Sequence, residues 1–113
     1  MCILTVKEFA EKLGLAVLTG DSTLERDITG VYVCDLLSWV MSHAEKGDAW
    51  ITVQAHINIV AVAVLLEIPC IIIPEDINVE ETTLKKASEE NIAILRTGMD
   101  AFEICWRTHE ILH

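Results

Sequence analysis

Asp48-Ala49-Trp50-Ile51-Thr52-Val53-Gln54-Ala55-His56-Ile57-Asn58, then the apolar run Ile59 to Leu66, Glu67-Ile68-Pro69 and Cys70-Ile71-Ile72-Ile73-Pro74, decides how this chain folds. Ala49 to Val53 is short, β-branched and aromatic, as a strand is. From Ile57, residues Val60, Ala61, Val64, Leu65 and Ile68 recur at helical spacing, while Ile59, Val62 and Leu66 spread the apolar surface beyond one stripe. Pro69 is expected to end that helix. Cys70 to Ile73 is continuously apolar, the pattern of a strand covered on both faces. The product is a strand, helix, strand unit around which the remainder wraps.

Working outward, Thr5-Val6-Lys7-Glu8 has capping-box spacing and opens a helix with Val6, Phe9, Ala10 and Leu13 on one face and Gly14 at its end. Leu15 to Leu18 reads as a short strand, Thr19 to Ser22 as a turn, and Ile28 to Val33 as a second strand. Asp35 can cap the next helix, with Leu36, Leu37, Val40, Met41 and Ala44 facing inward and Lys46-Gly47 as its end. After Pro74, Asn78-Val79-Glu80-Glu81 again has capping-box spacing and leads a helix to Asn91; Ile92 to Leu95 is a strand, and Asp100 opens the last helix. Helices and strands alternate throughout, which predicts a small single α/β domain over residues 1–113 with a mainly parallel sheet flanked by helices.

Composition narrows the function. A formal net charge of −10 disfavours nucleic acid and anionic membrane surfaces, both of which require a basic patch. Neither a secretory leader nor a membrane span is expected: the N-terminal segment is charged and amphipathic, and Ala49 to Leu66 is interrupted by Thr52, Gln54, His56 and Asn58. Cys2, Cys34, Cys70 and Cys105 lie far apart, three of them inside apolar patterns, so reduced core thiols of a cytoplasmic protein are expected. His43, His109 and His113 lack ligand spacing, and neither a metal nor another cofactor is expected. Both glycine-rich phosphate-binding motifs are missing, and no serine sits in a nucleophile elbow.

Thr52, Gln54, His56 and Asn58 are the first candidate site, because ligands of open parallel sheets sit beyond the carboxyl ends of the strands. The plainer alternative is that Gln54 or Asn58 caps the helix. Thr29 and Gly30, with Asp35 and Ser38, form the second candidate; a glycine within a strand pattern signals a bulge or the close approach of a backbone or ligand. Thr97-Gly98 could line the same cleft or simply turn the chain. Thr29 to Asp35 and Thr52 to Asn58 are expected to converge on one rim. The broad apolar coverage of the Ile57 to Ile68 helix also hints at a subunit interface.

At Arg26-Asp27-Ile28-Thr29-Gly30-Val31-Tyr32-Val33-Cys34-Asp35-Leu36-Leu37-Ser38, and again from Trp50 to Ala63, the chain resembles the DRTGG domain family. Members of this small stand-alone type usually carry a second glycine where this chain has Val31, and often a serine where it has Cys34. The resemblance implies a fold like the N-terminal domain of HPr kinase/phosphorylase. It implies no kinase activity, because the phosphate-binding loop of that enzyme belongs to another domain. The expected role is a non-catalytic regulatory module, a homo-oligomer with a possible enzyme partner, that binds a small anionic metabolite or nucleotide through Thr29, Gly30, Asp35, Thr52, Gln54, His56 and Asn58. The alternative is a protein–protein interaction module with no small ligand.

Overall fold

A computed structural model of the chain describes residues 3–112; Cys2 and His113 lie outside the described residues. Strands β1 (Leu4–Thr5), β2 (Ala16–Val17), β3 (Asp27–Ile28), β4 (Gly30–Val33), β5 (Asp48–Ile51), β6 (Cys70–Ile73) and β7 (Ala93–Arg96) alternate with helices α1 (Val6–Leu13), α2 (Leu37–His43), α3 (Asn58–Leu66), α4 (Glu81–Glu89) and α5 (Ala101–Leu112). The main sheet runs β2-β7-β6-β5-β4, parallel except for β2, which is antiparallel to β7. The expected α/β class and mainly parallel sheet are therefore present.

Alternation along the strands separates two cores. Ala49, Ile51, Cys70, Ile72, Ala93 and Leu95 face α1 and α5, whereas Trp50, Ile71, Ile73 and Ile94 face α2, α3 and α4. All four residues of β6 are buried, because both of its faces are covered. Burial pushes the Cys70 thiol up to about 12, which keeps it protonated and inert. Cys34, Cys70 and Cys105 are all free thiols. No helix among the described residues is long and apolar enough to cross a membrane.

The capping box of α1 forms as expected: the Glu8 amide donates to Thr5 Oγ1 (3.1 Å) and the Thr5 amide to Glu8 Oε1 (3.0 Å). Other local expectations fail. The segment from Ile28 to Val33 is not one strand. Ile28 pairs with Leu4 in a separate two-stranded ladder, and the chain passes through Thr29 before joining the main sheet at Gly30. Helix α3 stops at Leu66, where Glu67 takes a left-handed conformation (φ 57°), so Pro69 follows the end rather than making it. Helix α2 stops at His43, well short of Lys46-Gly47. The capping box at Asn78 is absent: Glu80 precedes α4 without a side-chain cap.

Candidate functional site

Three predicted residues meet at the carboxyl end of the sheet. The Asp35 carboxylate accepts from Thr52 Oγ1 (2.8 Å) and from the Val53 amide (2.9 Å). Gln54 Nε2 returns a bond to the Asp35 carbonyl (3.0 Å), and the Gln54 amide donates to Thr52 Oγ1 (3.2 Å). This network ties the exit of β4 to the exit of β5. Asp35 therefore does not cap α2; the residue before that helix is Leu36, which offers no side-chain acceptor. A tertiary donor pair across two strand ends outbids the local cap because it also satisfies the buried Thr52 hydroxyl. Ser38 has no part in it; its carbonyl accepts from the Ser42 hydroxyl.

His56 and Asn58 lie beside this network, exposed, at the entrance to α3. Neither Gln54 nor Asn58 caps the helix, since Ile57 occupies the capping position and no side chain accepts there. The amides of Ile59 and Val60 turn back to the carbonyls of His56 and Ile57 (both 3.1 Å). Those of His56, Ile57 and Asn58 find no acceptor among the described residues. Three successive free amides at a helix N-terminus give a local positive potential.

Thr29 and Gly30 are not on this rim. They stand at the amino end of β4, where Gly30 pairs with Asp48, about 15 Å of extended chain away from Asp35. The expected convergence therefore divides into two places at opposite ends of one strand. The close approach that Gly30 signalled is real, but the approaching group belongs to this chain: a Cβ at Gly30 would lie 2.6 Å from Asp48 Oδ1. The Asp48 carboxyl, raised above its ordinary range by burial, is held by the Glu45 amide (2.8 Å). Next to it, the Thr29 amide donates to the Gly47 carbonyl (3.0 Å), and a Cβ at Gly47 would collide with Thr29 Oγ1. Val31, the departure from the usual second glycine, packs against the core shared with α5. Gly47 and Asp48 were missed as partners because Lys46-Gly47 read as a helix end.

Thr97 and Gly98 do reach the carboxyl edge, where they serve a neighbouring loop. The Asp76 amide donates to the Thr97 carbonyl (2.9 Å), and Gly98 makes room for the Asp76 carboxylate. Glu75 and Asp76 are both left-handed (φ 57° and 53°), a tight corner that the sequence hid because neither is glycine. Among the described residues, no group of three or more His, Cys, Asp or Glu side chains is placed to hold a metal ion.

Removing the Asp35 carboxylate tests the rim network directly. Asp35→Ala leaves the buried Thr52 hydroxyl and the Val53 amide without their acceptor and is expected to cost about 1–3 kcal/mol in urea unfolding. Asp35→Asn keeps an acceptor oxygen and should recover most of that loss. Equal destabilisation by both variants would show that charge, rather than hydrogen bonding, holds the corner.

Fold and rim together define a three-layer α/β domain whose polar groups gather at the carboxyl ends of its parallel strands. The DRTGG domain profile matches residues 8–111, and the chain belongs to the DRTGG domain family. No curated protein matches the sequence. Among solved structures the chain is similar to the CBS and DRTGG domains of the regulatory region of Clostridium perfringens pyrophosphatase, which was crystallised with its activator, diadenosine tetraphosphate. The likeness has a TM-score of 0.67 at 16% identity, over 87% of this chain and 43% of that one. This chain thus spans less than half of that regulatory region, and the likeness is one of fold.

Proposed function

We propose that this chain is a non-catalytic regulatory module that binds a small anionic metabolite or nucleotide at the carboxyl edge of its sheet, through His56 and Asn58, on the corner that Asp35, Thr52 and Gln54 hold in place. The observation that carries this reading is the run of free amides at His56 to Asn58, beside exposed side chains that no intramolecular bond consumes. In a chain of net charge −10, an anion gains more from such free backbone amides than from any side-chain patch. Asp35 faces the same rim, but its Oδ1 is occupied by Thr52 and Val53. Membership of a family with a member in a nucleotide-activated regulatory region supports the same role. Thr29 and Gly30 act in this reading as structural residues at the far end of β4.

Thermal-shift measurements against mononucleotides, dinucleoside polyphosphates and phosphorylated metabolites test it. A ligand at a hundred times its dissociation constant stabilises the fold by about 2.7 kcal/mol. Because Asn58 is not a cap, Asn58→Ala should leave the unliganded stability within about 0.5 kcal/mol of the wild type and, since it removes the side chain and keeps the amide, should reduce that shift without abolishing it. No shift with any of these ligands would sink the reading.

A second reading has its own observation. Ile57, Val64 and Leu65 are exposed along α3, and with Ala61, Lys86 and Glu90 they border a shallow apolar hollow of about 560 Å³. That surface suits a protein partner such as an enzyme subunit under regulation.

A further inference from the structure

Strand β4 is the outermost strand of the main sheet, bonded to β5 on one side and, among the described residues, to no strand on the other. The Cys34 amide donates to the Ile51 carbonyl (3.3 Å), so by two-residue alternation Tyr32 also turns its backbone groups to β5. Val31 and Val33 turn theirs outward. Open edges are normally blunted by proline, lysine or a bulge. This one is not. From Thr29 to Ala44, through β4 and α2, Asp35 is the only formally charged residue, and it is engaged with Thr52 and Val53.

Both helical layers present apolar side chains at this same edge. On one face Leu37 and Val40 pack inward. A right-handed crossover from β4 through α2 to β5 then turns positions 36, 39 and 43 away from α3 and over the open side of β4. Trp39 stacks there on His43, with ring centroids 3.9 Å apart. On the other face, Cys105 and His109 of α5 line a groove of about 340 Å³ along Thr29 to Val33. Phe102, one turn earlier, continues that flank. Phe102 is 78% exposed, Leu36 62%, Trp39 51% and Val33 44%. At about 150–250 Å² for each aromatic ring, these side chains offer on the order of 450 Å² before any backbone is counted, over half of the ~800 Å² per partner of a stable interface.

We propose that a second copy of this chain adds its β4 antiparallel to this one across a two-fold axis, joining the two sheets into one. An extended peptide would use β4 and the α5 groove and leave Leu36 and Trp39 uncovered on the opposite layer. A second copy brings its own α2 and α5 to both flanks at once, as an isologous contact requires. Charge selects the same face: two chains of net charge −10 repel over most of their surfaces and meet without that cost along a neutral edge. The proposal stands independently of any ligand at the carboxyl rim.

Sedimentation of the full chain across the micromolar range should give twice the chain mass of 12.6 kDa. Val33→Pro should give the single chain mass, because the amide it removes faces outward and the monomer's own ladder keeps its bonds. Phe102→Glu alters an exposed helical position and should weaken self-association by at least about tenfold with the far-ultraviolet circular dichroism unchanged, so the test survives if the proline variant fails to fold. A wild-type mass of 12.6 kDa overturns the proposal. So does a dimer that Phe102→Glu leaves intact and Leu65→Glu disrupts, since the contact would then lie on α3.

Discussion

Trp50→Ala is expected to lower the stability of this domain by about 3–5 kcal/mol, the cost of deleting a large ring from a packed interior. Trp50 lies in the middle of β5 with no exposed surface, packed among Val40, Ile59, Ile71 and their neighbours on the α2–α3 side of the sheet. Its indole N–H donates to the Cys34 carbonyl (2.9 Å), so truncation also leaves that carbonyl short of a donor. With total stabilities of about 5–15 kcal/mol for a domain, a loss of this size brings the fold near its threshold and lowers the melting point by about 12–20 °C. The effect should reach the rim, since Cys34 immediately precedes Asp35 and anchors the corner at which β4 ends. Urea unfolding and amide exchange at Val53, whose N–H is bonded to Asp35, measure the two consequences separately. Trp50→Phe retains most of the ring and removes only the donor; its expected cost is about 1 kcal/mol plus a small packing loss. If Phe were as damaging as Ala, the hydrogen bond to Cys34 would outweigh the packing of the ring.

How far the sequence discloses this fold depends on whether a residue's decisive partner is near or far along the chain. Cys70 to Ile73 is legible because burial on both faces leaves four apolar residues in a row, and Thr5 with Glu8 is legible because its capping partners are three residues apart. Asp35 misleads for the opposite reason. Its position suits a cap, yet it is claimed by Thr52 and Val53, seventeen and eighteen residues on, and helical spacing carries no trace of that competition. Glu67 misleads because a left-handed terminus is ordinarily announced by glycine, and Pro69 offered a nearer explanation. The break at Thr29 is invisible because Ile28 and Val31 look alike in a hydrophobic pattern, although Ile28 pairs with Leu4 and Val31 with Ala49. Thr52 and Gln54 stand out together because polar residues at a strand exit are conspicuous in an apolar chain, whereas Asp35 reads with Thr29, Gly30 and Ser38 and only the fold bonds it to Thr52 and Gln54. Thr29 and Gly30 were grouped with them because a strand's two ends cannot be told apart by composition.

Gly47→Ala should be the most damaging change at the amino end of the sheet, costing about 2–4 kcal/mol from two sources that a double mutant separates. Gly47 has φ +88°, where a side chain adds about 1–2 kcal/mol of backbone strain, and its new Cβ would be driven into Thr29 Oγ1. Retreat is difficult for Thr29, whose amide is fixed to the Gly47 carbonyl and whose neighbour Gly30 is paired with Asp48 at the start of β4. Adding Thr29→Ala to Gly47→Ala removes the collision and leaves the strain, so it should recover about half of the lost stability in thermal or urea unfolding. Failure of the second substitution to recover anything would assign the whole cost to the backbone. The same pair of variants also separates the two ends of β4 in function. Any ligand held by His56 to Asn58 lies at the far end of the sheet. Below its lowered melting point, Gly47→Ala should therefore bind that ligand as the wild type does, whereas Asn58→Ala should keep its stability and bind the ligand more weakly. A Gly47 variant that folds and cannot bind would return Thr29 and Gly30 to the binding site, and would make β4 a mechanical link between its two ends.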